Sequence, residues 1–284
     1  MKSLIRANFY KLFRTKVYWI LFILMPCVNL FSIYQLRDSL ILHKEFDDNV
    51  SYYWLGWSLS ELSTYISHLL YFSYGVMAVI ALFVGDEYSS GTIRNKIMAG
   101  HSRAKLFFSY FIPSYLGMLL IHFVSEITGL AVCYFKFGAG LYNKTNYSEF
   151  LGKEFKCRDL HNDLMNLLKI NLTAVIIIAS FIAVTLICMT AIGKKAPGFA
   201  AAILTDVVSI IYTTDRINDF MMYYQAENVK MEKFSLATLS FDPNGFLRAT
   251  IYGDYYLPCV ICAAAAACVF IAIGAVIMKK RDLK

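Results

Sequence analysis

Charged side chains are scarce in this sequence: Asp, Glu, Lys and Arg together make up 17% of its 284 residues, whereas soluble domains carry about 25%. Apolar residues make up 58%, and this balance excludes an ordinary soluble globular domain. Runs of about 20 apolar residues are long enough to cross a hydrocarbon layer of roughly 30 Å as helices. The sequence therefore predicts an all-α integral membrane protein, one domain over residues 1–284, with six spans at 17–36, 62–84, 105–134, 169–192, 197–213 and 255–278.

Catalytic motifs are also lacking. No phosphate-binding loop of the form GxxxxGK[ST] occurs, because Cys188 stands where the first glycine before Gly193-Lys194 is needed. An HExxH zinc-protease motif is missing, since His122 is followed by Phe123. Gly56-Trp57-Ser58 lacks the rest of a serine nucleophile elbow. We therefore expect no catalytic residue, no metal site and no ATP site in this chain.

Cysteines occur, but not in a pattern that predicts disulfides. The chain has seven, and all except Cys157 fall in or beside the predicted spans. Cys259 and Cys262 form a CxxC sequence on a predicted membrane helix among alanines, where small packing residues are the preferred interpretation over redox or metal chemistry. The sequence therefore argues against a disulfide framework.

The basic residues are concentrated in a few short segments. Four of these hold 15 of the 27 Lys and Arg residues, at 2–16, 94–105, 194–195 and 279–284. Under the positive-inside rule, they predict that both termini and the segment 85–105 are cytoplasmic. The net charge of +7 is then explained by a membrane surface, without nucleic acid, and we expect a multi-pass protein of the cell membrane.

The segments outside the spans have recognisable patterns. Residues 1–16 alternate basic and apolar side chains at helical spacing, which predicts an amphipathic helix along the inner membrane surface. Residues 135–168 and 214–254 are the two large segments on the opposite side, and we expect both to be extracellular.

The charged segment 85–105 carries the pattern of a short helix. Ser89 and Ser90 are good amino-terminal caps and Gly100 is a natural stop, which predicts a helix of about ten residues within 86–100. Ile93 and Ile97 would share one face, and Lys96 would point elsewhere. A helix this short is marginal alone in water, so the spans or another protein must hold it. The alternative is an ordinary basic loop.

Three ionisable residues fall inside predicted spans. His122 and Glu126 lie one helical turn apart and can hydrogen-bond each other or a neighbouring helix, and Asp206 lies in the fifth span. Buried ionisable groups of this kind line transport paths or proton relays, which would suit a proton-coupled secondary transporter. The alternative interpretation is that they only hold helices together, with Thr205, Ser209 and Asn218 as the side chains that could satisfy Asp206.

The octet Glu87-Tyr88-Ser89-Ser90-Gly91-Thr92-Ile93-Arg94, directly after the second span, resembles the ExxxGTxR-type signature of ABC-2 type transporter permeases. The likeness extends to the amphipathic first helix, six spans, a large outer segment before the sixth span and a basic end. It implies that residues 86–100 form a coupling helix that docks on a separate ATP-binding subunit. The contact residues implied are Glu87, Ser90, Gly91, Thr92, Ile93, Arg94, Ile97 and Met98.

The same resemblance implies the rest of an assembly. Two copies of the permease, a homodimer in the simplest case, would work with two ATP-binding subunits, and ATP and Mg would be bound by those subunits alone. In overall character the chain is similar to permeases of the bacitracin-resistance, lantibiotic-immunity and phenol-soluble-modulin export kinds, the last most of all. The implied cargo is an amphipathic or antimicrobial peptide, with a lipid or drug as the alternative within the family.

Overall fold

A computed structural model describes residues 1–42, 62–137, 160–208 and 256–280. All regular secondary structure in these ranges is α-helical, which confirms the predicted all-α class for this part of the chain. The helices are α1 (Lys2–Arg14), α2 (Lys16–Leu42), α3 (Leu62–Ser89), α4 (Thr92–Met98), α5 (Arg103–Phe137), α6 (Leu160–Ile192), α7 (195–208) and α8 (Tyr256–Lys280).

Three of the described helices are long and apolar enough to cross a membrane. The qualifying stretches are Arg103–Val132 in α5, Ala174–Ile192 in α6 and Ala263–Lys280 in α8. Two helix pairs, α1 with α2 and α3 with α4, each bend by 65° at a short break, and they raise the number of candidate spans to five if each pair counts as one. An all-α membrane protein is therefore supported, and the number of six spans stays a prediction.

The two longest helices extend beyond the predicted spans. Helix α5 reaches Phe137 and α6 begins at Leu160, so both ends of the predicted outer segment 135–168 are helical. The 33 residues of α6 are about 50 Å long at about 1.5 Å per residue, which exceeds the roughly 30 Å hydrocarbon layer. Apolar runs in the sequence indicate only the part of a helix that lies within the hydrocarbon layer, whereas the helices themselves continue beyond it. Residues 138–159 and the whole predicted segment 214–254 lie outside the described ranges.

Helix α5 is the centre of the bundle, since it packs against α1, α2, α3, α6 and α8. Two glycines allow close approach to it. A Cβ on Gly117 would lie 2.7 Å from the Leu12 side chain, and a Cβ on Gly274 would lie 2.5 Å from the Phe107 ring. Small residues at such crossings let membrane helices pack closely.

Helix α1 forms where it was predicted, and its apolar stripe faces the protein. Leu4, Asn8 and Leu12 are buried, and α1 packs on α5. Arg6 and Arg14 remain exposed on the other side. The helix is therefore amphipathic as predicted, but its apolar side contacts α5, which leaves the cationic side outermost.

Candidate functional site at the basic end of the bundle

Contacts between helix ends bring the predicted basic segments together. The Lys195 ammonium lies 2.7 Å from the Asp86 carboxylate, which links the start of α7 to the end of α3. Arg103 Nη1 donates to the carbonyl oxygen of Lys279 at 3.2 Å, which links α5 to α8. We call this end of the molecule, formed by residues 2–16, 86–105, 193–195 and 278–280, the basic end.

Glu87 is buried at the basic end, with only 3% of its surface exposed. Lys11 Nζ lies 3.1 Å from its Oε1 atom and Lys96 Nζ lies 2.6 Å from its Oε2 atom. The Tyr110 hydroxyl also donates to Oε2. One carboxylate at the end of α3 thus binds side chains of α1, α4 and α5.

The contacts continue from Lys96 to α1 and α5. Lys96 Nζ also donates to Asn8 Oδ1 at 3.4 Å and to the Tyr110 hydroxyl at 3.2 Å. Asn8 Nδ2 donates to both the carbonyl oxygen and the Oγ atom of Ser109, at 2.8 and 3.0 Å. We call Asn8, Lys11, Glu87, Lys96, Ser109 and Tyr110 the Glu87 network.

The charges of the Glu87 network explain how a carboxylate can be buried there. Two ammonium groups and a hydroxyl surround the carboxylate, and a buried ion is retained when partners and hydrogen bonds replace its water. Lys11 keeps 35% of its side chain exposed, and Lys96 keeps 18%. The network is therefore covered on the bundle side and open to solvent at the lysines.

The turn between α3 and α4 differs from the predicted cap. Helix α3 continues through Ser89, whose Oγ donates to the Asp86 carbonyl oxygen at 3.1 Å. The cap of α4 is instead Gly91, with φ of 69° and no side-chain capping bond. The prediction that Ser89 and Ser90 cap the helix is wrong, and α4 has 7 residues instead of about ten. Gly100, with φ of 86°, follows the helix as its predicted stop.

The residues implied to contact a partner fall into two groups. Arg94, Met98, Ser90 and Gly91 are exposed, and Met98 has 70% of its surface accessible. Thr92 and Ile97 are half-buried, while Ile93 and Glu87 are buried. Ile93 and Ile97 share one face, as predicted, and this face packs on the core. Direct contact of any of the eight with a partner stays a prediction.

Sequence reasoning missed most of the Glu87 network. It assigned Lys96 to a direction away from the isoleucine face, yet Lys96 reaches Glu87 across the turn. Lys11 and Tyr110 were not singled out either. One signal was available: Asn8 interrupts the apolar stripe of Leu4 and Leu12, and a polar residue on a packed face needs a hydrogen-bonding partner.

The other predicted site residues lie deeper in the bundle. His122 is fully buried, and its Nε2 atom lies 3.2 Å from Asn171 Oδ1 on α6. Ser73 on α3 donates to Asp206 Oδ2 on α7 at 3.2 Å. Glu126 is half-buried on α5. The predicted contact of His122 with a neighbouring helix is confirmed, and both interpretations of these residues, transport path or helix packing, stay open.

Thr205 was a suggested partner of Asp206, but its Oγ1 atom donates to the Ala201 carbonyl oxygen at 2.8 Å. The other suggested partners, Ser209 and Asn218, are outside the described ranges. Across the described ranges, no group of three or more His, Cys, Asp and Glu residues could hold a metal ion.

Comparison with known proteins identifies no family for this chain: no protein-family model matches the sequence, and a search of curated proteins finds no significant relative.

Proposed function

We propose that this chain is the membrane-spanning permease subunit of an ATP-driven exporter of the ABC-2 type, with six spans and a separate ATP-binding subunit docked on residues 86–100. The cargo is an amphipathic or antimicrobial peptide. ATP is hydrolysed by the partner subunit, and two copies of each subunit form the transporter. Both termini and the basic end face the cytoplasm.

The observation that carries the proposal is the anchoring of α4. A helix of 7 residues is too short to be stable alone, yet Ile93 is only 2% exposed and Lys96 is tied to Glu87. Arg94 and Met98 are exposed on the same helix. A rigid, short helix with a cationic and an apolar side chain outermost suits docking into a groove of another protein.

The Glu87 network supports a way to pass force from α4 into the membrane domain. A push on α4 acts through Lys96 on Glu87 and Tyr110, hence on α3 and α5. These two helices belong to the candidate spans. Movement of a docked ATP-binding subunit would therefore displace α3 and α5 in the membrane part of the chain.

The test requires an ATP-binding subunit, sought as a neighbouring reading frame with a Walker-A motif and co-purified with this chain. Arg94→Glu and Met98→Glu should each weaken its binding at least tenfold, because losing a hot-spot contact near the centre of an interface costs about 2 kcal/mol or more, and about 1.4 kcal/mol corresponds to a factor of ten. ATPase stimulation by the permease should fall in parallel. Both positions are exposed, so the thermal unfolding midpoint of the permease alone should not change.

Lys194→Glu is the matched control, since it reverses an exposed charge at the same end of the molecule. This control should bind and stimulate the ATP-binding subunit as the wild type does. Wild-type binding by both Arg94→Glu and Met98→Glu would show that α4 is not the docking helix.

A second candidate function is favoured by the buried polar contacts within the bundle. His122 with Asn171 and Asp206 with Ser73 form two polar pairs between different helices, and Glu126 lies one turn from His122. A proton-coupled secondary transporter would use His122, Glu126 and Asp206 as its relay. It requires peptide transport that follows an imposed proton gradient without ATP, whereas the ABC-2 proposal requires ATP and the partner subunit in the same vesicles.

A further inference from the structure

The outer side of α1 carries cations with no acidic residue among them. Lys2, Arg6 and Arg14 recur at multiples of four residues and are exposed, as is Lys16 just after the bend. The Arg14 guanidinium lies 5.1 Å from the centre of the Tyr10 ring. No Asp or Glu occurs in the sequence before Asp38. We call Lys2, Arg6, Tyr10, Arg14 and Lys16 the α1 stripe.

The helix that follows shows where the α1 stripe lies relative to a bilayer. Helix α2 bends by 65° from α1, and its exposed side is apolar from Trp19 to Phe31, where Ile20, Ile23 and Phe31 are mostly exposed. An exposed apolar side on a membrane helix faces acyl chains, and Trp is enriched at the level of the headgroups. Arg14 and Lys16 therefore lie at that level, and α1 runs from there at a large angle to α2.

We propose that the α1 stripe binds the anionic headgroups of membrane phospholipids. The apolar side of α1 is already buried on α5, so α1 does not insert into the bilayer by that side. Attraction to the surface therefore depends on charge, and a phosphodiester headgroup is complementary to Arg and Lys beside a Tyr ring. Lys11 is turned toward Glu87 and takes no part.

The stripe is also connected to the Glu87 network, because Asn8 and Lys11 lie on the opposite side of the same helix. Headgroups that hold α1 in place thereby hold two members of that network. Anionic lipid should consequently stabilise the whole basic end. This inference requires neither cargo nor an ATP-binding subunit, so it stands or fails separately from the proposed function.

The experiment titrates dioleoyl phosphatidylglycerol, and separately dioleoyl phosphatidylcholine, into the purified full-length chain in a neutral detergent and follows the thermal unfolding midpoint. Phosphatidylglycerol should raise the midpoint and phosphatidylcholine should not. Each cation near an anionic surface contributes about fivefold in affinity. Arg6→Gln/Arg14→Gln/Lys16→Gln should therefore need about 100-fold more phosphatidylglycerol for half of the wild-type rise.

The matched control, Lys194→Gln/Lys279→Gln/Lys280→Gln, removes three exposed charges from the same end of the molecule and should titrate as the wild type does. Equal weakening in both triple variants would overturn the proposal, because net charge and not the stripe would then be responsible. An undiminished response of the stripe variant would also overturn the proposal, and would favour a protein partner as the ligand of the α1 stripe.

The wild type alone gives a further test that does not depend on a variant folding. Raising NaCl from 0.1 to 1 M shortens the Debye length from about 10 to about 3 Å. The rise caused by phosphatidylglycerol should then largely disappear. A wild type that is not stabilised by phosphatidylglycerol at 0.1 M, or whose stabilisation survives at 1 M, contradicts the proposal.

Discussion

Two neighbouring carboxylates at the end of α3, Asp86 and Glu87, differ in how deeply they are buried. Asp86 is more than half exposed and pairs with a lysine that is itself exposed, whereas Glu87 is almost fully buried with two lysines. Exposed ion pairs contribute about 0–1 kcal/mol to stability. Removing one partner of a buried pair costs more, because the remaining charge loses its compensation.

This contrast gives a paired prediction. Glu87→Gln should lower the free energy of unfolding by about 3 kcal/mol, the lower end of the cost for a buried pair, since Lys11 keeps access to solvent. Asp86→Asn should lower it by less than about 1 kcal/mol. Thermal and denaturant unfolding of both variants in the same detergent measures the difference.

Equal losses in the two variants would mean that Glu87 is not the buried ion pair described here. A loss confined to Asp86→Asn would have the same meaning. The comparison is internal, because both changes convert a carboxylate to its amide at adjacent positions of α3.

At the scale of elements, the bend between α3 and α4 depends on one backbone conformation. Gly91 has φ of 69°, and a Cβ there would meet no atom within 4 Å. A substitution at this position is therefore opposed by backbone strain alone. For a residue other than Gly, the left-handed conformation costs about 1–2 kcal/mol, and Asn tolerates it better than Ala does.

We predict that Gly91→Ala loosens α4 by about 1 kcal/mol, roughly a fivefold increase in amide exchange at residues 92–98. Gly91→Asn should have a smaller effect, and exchange in the middle of α5 should not change in either variant. Hydrogen exchange followed by mass spectrometry resolves the three cases. Unchanged exchange in Gly91→Ala would show that α4 does not depend on this turn.

Local patterns in the sequence predicted that α4 exists and where it stops, but neither its start nor its anchoring. The spacing of Ile93 and Ile97 predicted that they share a face, but not that this face packs on the bundle, and Gly100 predicted the stop. The predicted start is wrong because α3 continues through Ser89, so this serine belongs to the preceding helix and does not cap α4. The pairing of Lys11 with Glu87 spans 76 positions of sequence, and no periodicity within one helix can indicate such a contact.

At the scale of the whole molecule, clustering of the basic segments constrains the topology. Asp86 at the end of α3 contacts Lys195 at the start of α7, so the turn after α3 and the turn before α7 must lie on one side of the membrane. The positive-inside rule predicts that this side is cytoplasmic. Cys157, in the predicted outer segment, should lie on the other side.

Single-cysteine variants test this arrangement. Asn95→Cys and Lys194→Cys, both at exposed positions, should react with a membrane-impermeant maleimide only in inside-out vesicles, since α4 and the turn before α7 are predicted to share the cytoplasmic side. A chain that retains Cys157 alone should react only in right-side-out vesicles. Labelling of Asn95→Cys and Lys194→Cys from opposite sides would exclude the described bundle.

The end of α3 also contacts three other helices through two consecutive carboxylates. Glu87 binds lysines of α1 and α4, while its neighbour Asp86 binds a lysine of α7. Two consecutive residues of α3 therefore connect it to three other helices. Separation of α1 from α7 at this end therefore requires that the ion pair of Glu87 with Lys11 or that of Asp86 with Lys195 break. The exposed ion pair of Asp86 with Lys195 is the weaker of the two, and high salt should break it first.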